Sequence, residues 1–218
     1  MRKGQPKMAR KRKERKLTDA ERRRLDGFTK ACSDLEEQGY RRVDLRVSIL
    51  AANIVALVVA LVLLAVALPL FIIAHPGQDL FGTTTDLVLC LLAFVALIFA
   101  HELVHGYTWS RFTPNGFNDV EFGIMRDSLT PYCACLVPLP RTPYVIGALM
   151  PLFVFGIVPL ITAFCTGLVP LFWLGILMTI SATGDVMIVA KALRYKSASD
   201  DVLLFDHPTE AGSVLFER

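Results

Sequence analysis

Charge is nearly missing from the middle of this 218-residue chain. The first 47 residues and the last 28 hold most of it, and Ile49–Ala74 holds none. A soluble domain of this length does not need 54% apolar residues, and their clustering points to a membrane protein with soluble ends. No Gly-rich phosphate loop, cofactor fingerprint or Ser-centred nucleophile motif is present, so neither nucleotide chemistry nor serine hydrolysis has a foothold. Histidine is scarce, with four in all, too few for a membrane di-iron desaturase. The five cysteines are odd in number and lack framework spacing, which reads as reduced thiols in a cytoplasmic or lipid setting. Cys133 and Cys135 form a CxC, but two ligands alone make a weak metal site. No cleavable signal peptide is expected, because the segment before the first apolar run is too long and too charged.

Residues 1–47 carry sixteen Lys and Arg against eight Asp and Glu, densest over Lys7–Lys13. The alternatives are a nucleic-acid arm and a cytoplasmic anchor following the positive-inside rule. The anchor is favoured because the run leads straight into an apolar segment, so no nucleic-acid partner is expected. Thr18 and Glu21 have capping-box spacing, which predicts a helix to about Gln38 stopped by Gly39. Tyr40–Ser48 reads as a short strand or a juxtamembrane stem. Four apolar runs follow, at Ile49–Ala74, Leu87–Trp109, Tyr144–Cys165 and Leu168–Ala190. Each is long enough to cross a bilayer, and Pro151 and Pro159 should kink the third. Only Thr166-Gly167 separates the last two runs, so they should form a helical hairpin.

The expected fold class is an all-α integral membrane protein, with about four transmembrane helices and small cytoplasmic α/β extensions. The expected divisions are a basic cytoplasmic region over 1–48, a four-span domain over 49–190 with a cytoplasmic loop at 110–143, and a cytoplasmic tail over 191–218. Within the loop, Val120–Ile124 is expected to offer a strand edge to an extended substrate. The tail should form strand, turn and strand, with Asp206-His207-Pro208 at the turn.

The second run contains His101-Glu102-Leu103-Val104-His105, an HExxH. On a helix, residues i and i+4 share a face, so both imidazoles can reach one ion. Glu102 sits beside that face, placed to take a proton from water polarised by the metal. Two His and a Glu in a membrane span are costly unless partnered, which favours a function over chance occurrence. A catalytic zinc wants a third protein ligand, and depth points to Asp185. His101 lies fourteen residues into the second run and Asp185 seventeen into the fourth, which runs in the same direction. At about 1.5 Å per residue the two differ in depth by about one turn or less. Gly184 beside it would permit close helix approach. The competing reading pairs Asp185 with a hydroxyl such as Thr183. His75 and His207 are expected to be solvated loop residues, and Asn53 to be a packing residue or a donor behind the site.

These residues, with Phe122-Gly123-Ile124, Pro131-Tyr132, Pro151, Gly184-Asp185 and Asp206-His207-Pro208, resemble the zincin-type membrane metallopeptidases, a bacterial family, from about Gly39 to the end of the chain. The resemblance implies a multi-span protein of the bacterial cell membrane whose Zn2+ is held by the HExxH helix and a later Asp. It is more distantly similar to site-2 proteases. There the Asp is normally followed by Gly, whereas here Gly184 precedes Asp185. The expected function is a zinc-dependent endopeptidase acting on membrane-associated peptides or membrane proteins near the cytoplasmic face. His101, His105 and Asp185 would be its metal ligands and Glu102 its general base. The alternative is a non-catalytic, zinc-stabilised membrane scaffold or regulator, for which Glu102 would be superfluous.

Overall fold

The computed structural model describes residues 19–125, 130–208 and 210–218. The basic run Lys7–Lys13 and the Thr18 capping position lie outside the described residues. Helix α1 (Asp19–Glu37) places Phe28, Cys32 and Leu35 on one buried stripe, and Gly39 ends the segment in the left-handed region at φ 89°. Strand β1 (Arg41–Arg46) follows. Helix α2 (Ile49–Ala74) is capped by the Ser48 hydroxyl, and α3 (Thr84–Ser110) by a capping box of Thr83 and Asp86. A hairpin of β2 (Val120–Met125) and β3 (Thr130–Cys135) comes next, then the short β4 (Leu139–Pro140).

Helix α4 (Arg141–Pro151) continues through a π-helical stretch, Leu152–Ile157, into α5 (Val158–Thr166). The expected kink in the third run thus takes the form of a widened turn after Pro151. Gly167, at φ 75°, turns the chain into α6 (Val169–Ser181), and α5 and α6 pack as the expected hairpin. The fourth run departs from a single straight helix. It breaks at Ala182, and α7 (Thr183–Arg194) leaves α6 at an angle of 45°. Three helical segments are long and apolar enough to cross a membrane, or four if α6 and α7 make one bent span.

The chain ends in β5 (Val202–Asp206) and β6 (Gly212–Glu217). These join one antiparallel sheet in the order β1-β6-β5-β4, so the strand before α2 pairs with the last strand of the chain. Strand β6 is buried along its whole length because both faces of the sheet are covered. Val214, Phe216 and Phe205 pack against Phe28, Cys32 and Leu35 of α1. Val202, Leu204 and Leu215 face the other way, into a cluster with Trp109, Tyr144, Ala148, Val189 and Ala192 from α3, α4 and α7. A third cluster, centred on Phe71 and Phe172, holds α2, α5 and α6 together far from the sheet. The sheet therefore seals the end of the helix bundle at which α3 and α7 finish.

Candidate metal centre

His101 lies nine residues before the end of α3, and Asp185 nine residues before the end of α7. Both helices end at the sheet, so the two side chains sit at one level, about 14 Å in at 1.5 Å per residue. The break at Ala182 matters here. It starts a new helix three residues before Asp185 and puts this carboxylate in the first turn, where a negative charge suits the helix dipole.

The structure brings His101, His105 and Asp185 together. The Nε2 atoms of the two histidines are 3.1 Å apart, and Asp185 Oδ2 is 3.1 Å from His101 Nε2. Asp185 Oδ1 is 3.6 Å from His105 Nε2. Zinc bonds of about 2.0–2.1 Å in tetrahedral geometry put neighbouring ligand atoms about 3.3 Å apart, so this donor set and spacing fit such an ion. This is the one group of three or more potential metal ligands among the described residues. Both histidines are buried, at 7% and 4% exposure, in an otherwise apolar helix.

His105 is oriented from behind. Its Nδ1 lies 2.8 Å from the carbonyl oxygen of Gly147 in α4. A carbonyl can only accept, so Nδ1 carries the proton and Nε2 is left as the free lone pair. The Trp109 ring stacks on the His105 imidazole at 5.1 Å and 14°, and its Nε1 donates to the Tyr144 carbonyl. His101 is less constrained, since its Nδ1 is buried without a hydrogen-bond partner. The Glu102 carboxylate is half-buried beside the histidines and faces the Cys133 backbone N–H of β3.

Several expectations change. Gly184 does not mediate close packing, because a Cβ there would meet nothing within 4 Å; the close approach is at Gly147, against Trp109. Asn53 is exposed on α2 and is no donor behind the site. His75 is not a solvated loop residue: half-buried, it caps α2, contacts the Phe71 ring and hydrogen-bonds the Phe164 carbonyl through Nε2. His207 is half-buried against Phe28, and its Nδ1 accepts from the Glu210 backbone. Asp185 pairs with the two histidines, while the Thr183 hydroxyl is buried without a partner. All five cysteines are free. Burial and the nearby Asp206 push the Cys133 thiol far up, and burial pushes Cys135 up to about 12. Neither supplies a thiolate at neutral pH, which fits the weak reading of the CxC. Val120–Ile124 forms a strand as expected, with one edge paired to β3. Sequence reasoning missed Tyr144, Gly147 and Trp109 as the support of His105. The available signal was the spacing of Trp109 four residues after His105.

Residues 94–199 match the family described as "Putative zincin peptidase", a span that takes in the HExxH helix, the hairpin and Asp185. The match is shorter than the resemblance expected from Gly39 onward, and it ends before β5. No curated protein matches the chain, and no solved structure does.

Proposed function

We propose, proceeding from the zincin match over residues 94–199, that this chain is a zinc-dependent endopeptidase embedded in a membrane. It would cleave membrane-associated peptides near the cytoplasmic face. The observation that carries this reading is the convergence of His101, His105 and Asp185 from two helices, with Glu102 beside them. Those three residues would hold the ion. Zinc would supply Lewis acidity toward a scissile carbonyl and toward water. Glu102 takes the proton of the attacking water and can return it to the leaving amine. The Cys133 backbone N–H offers that carboxylate a donor to point toward. The Gly147 carbonyl and the Trp109 ring keep His105 from turning away.

Membrane embedding is supported by surface chemistry. Ile49, Leu50, Leu57, Leu91, Leu92 and many neighbours on α2 and α3 are more than half exposed, a patch far larger than soluble monomers tolerate. In that setting an unpaired Asp185 would cost about 2.5–3.5 kcal/mol at mid-membrane, and a shared cation removes most of that penalty.

Metal analysis of detergent-purified protein, combined with a peptide-library cleavage screen, tests the reading. Glu102→Gln should keep about one zinc per chain and lose cleavage, because a base and not a ligand is removed. Asp185→Ala should lose both, with affinity falling by more than the roughly 10–100-fold typical of residues behind the ligands. Undiminished function in Glu102→Gln, with collapse of Asp185→Ala, would instead establish the zinc-stabilised scaffold.

A further inference from the structure

Asp206 closes the inward-facing row Val202, Leu204, Asp206 of β5, where apolar neighbours would predict another aliphatic residue. It lies beyond the matched residues 94–199 and bears none of the roles assigned above. Its two oxygens are both engaged, and with different elements. Oδ1 accepts from the Tyr144 hydroxyl of α4 at 2.5 Å, and Oδ2 accepts from the Cys135 backbone N–H of β3 at 2.8 Å.

Each contact leads to a different part of the candidate site. Tyr144 stacks on Trp109 at 5.7 Å and accepts its indole N–H, and Trp109 in turn stacks on His105. One helical turn further along α4, Gly147 holds His105 Nδ1. On the other arm, backbone groups two residues apart on a strand point to the same edge. The edge of β3 that meets Asp206 through Cys135 therefore meets Glu102 through Cys133.

We propose that Asp206 is a positioning residue for the metal centre: one oxygen fixes α4 behind His105, and the other fixes β3 against Glu102. The C-terminal sheet thereby becomes part of the site, and a single side chain ties together the two elements that orient the His105 ring and face the Glu102 carboxylate. This rests on the metallopeptidase reading for its consequence in catalysis, but the geometry it asserts exists in the metal-free chain.

Three variants and two measurements test it. Tyr144→Phe removes the hydroxyl contact alone, Asp206→Asn keeps volume and one acceptor oxygen, and Asp206→Ala removes both arms. The first measurement is 15N NMR of labelled histidine in the metal-free protein at a pH alkaline enough to keep the imidazole neutral, which reads whether His105 carries its proton on Nδ1. The second is zinc affinity by chelator competition, per folded molecule. Wild type should show the Nδ1–H form. Tyr144→Phe and Asp206→Ala should move His105 toward mixed tautomers and weaken zinc binding by about 10–100-fold, the range for residues behind metal ligands. Asp206→Asn should fall between wild type and Asp206→Ala. Where cleavage is measurable, Asp206→Ala should also lower kcat more than Tyr144→Phe, since only the former frees β3 from its hold beside Glu102. A wild-type tautomer and wild-type affinity in Tyr144→Phe and Asp206→Ala, even with lowered thermal stability, would overturn the proposal and leave Asp206 a plain structural residue. If Asp206→Ala does not fold, the single hydroxyl lost in Tyr144→Phe decides the matter. If wild type takes up no zinc, the metallopeptidase reading fails while the tautomer still decides the positioning.

Discussion

Gly147 sits in the interior of α4, where alanine would ordinarily be favoured over glycine by about 0.5–1 kcal/mol. Here the sign reverses. A Cβ at this position would lie 2.1 Å from Cδ1 and Nε1 of Trp109, a rigid ring that is 4% exposed and already anchored at both ends. Gly147→Ala should therefore destabilise the protein by about 1–3 kcal/mol, as overpacking does. Because the displaced ring is the one stacked on His105, zinc affinity should fall as well. Thermal melting and chelator competition on the same preparation check this, and a variant more stable than wild type would refute it. None of this was visible in the sequence. His101 and His105 were legible because a helix repeats every 3.6 residues, and Asp185 because two spans running the same way can be compared for depth. The acceptor for His105 is a backbone carbonyl 42 residues away, and Tyr144 meets Asp206 across 62 residues. A carbonyl carries no residue-type signal, and pairings at such separations have no periodicity.

Among the elements, the apolar runs read well because membrane length is written in hydropathy. Helix α2 begins and ends at Ile49 and Ala74, where the first apolar run does. The break at Ala182 was hidden because Ser181-Ala182-Thr183 contains neither proline nor a charge. The sheet was half legible. Strand β1 alternates roughly and β5 and β6 read as short apolar strands, but no local pattern says that β1 must seek β6. A polar clamp helps hold that pair: Arg41 reaches Glu217 across the ladder, with Tyr195 donating to the same carboxylate and the Ala198 N–H to its other oxygen. The Arg41 hydrogen bond, with these further contacts, holds the Glu217 carboxyl down from 4.5 to about 2. A carboxyl whose folded pKa is depressed stabilises the fold above its unfolded value and loses that contribution as pH falls through the folded one. Protection of β1 and β6 amides, corrected for intrinsic exchange, should thus persist at pH 5 and above and fade between about pH 4.5 and 2. Arg41→Ala should leave the onset near the unfolded value but complete the loss at a higher pH and make it smaller, because it raises only the folded pKa. A loss of unchanged size and range in that variant would show that Arg41 has no part in it.

At the scale of the whole molecule, strand pairing fixes which helix ends lie together. Strand β1 precedes α2, β4 precedes α4, and β5 follows α7, yet all three belong to one sheet. The starts of α2 and α4 and the end of α7 must therefore lie at the same end of the bundle. At the other end, His75 after α2 hydrogen-bonds Phe164 of α5, Trp173 of α6 donates to the Leu80 carbonyl, and Gly167 abuts His75. Helices α2, α3, the α4–α5 unit and the bent α6–α7 pair then alternate in direction. An odd number of crossings would put β1 and β6 on opposite sides of a membrane, where they could not pair. On the membrane-embedded reading proposed above, the bent pair then counts as one span, giving four. Pairing leaves the absolute orientation open, and the expectation for it comes from charge. Residues 1–47 carry sixteen basic side chains, while residues 75–83, between α2 and α3, carry none. Reporter fusions after Arg46, after Asp79, within 115–119 and at the C-terminus should accordingly read inside, outside, inside and inside. Inversion of all four signals would keep the fold and reverse only the charge argument. A C-terminal signal opposite to that after Arg46 would be more serious, because it would separate β6 from β1, and with them Asp206 from the helices of the candidate metal centre.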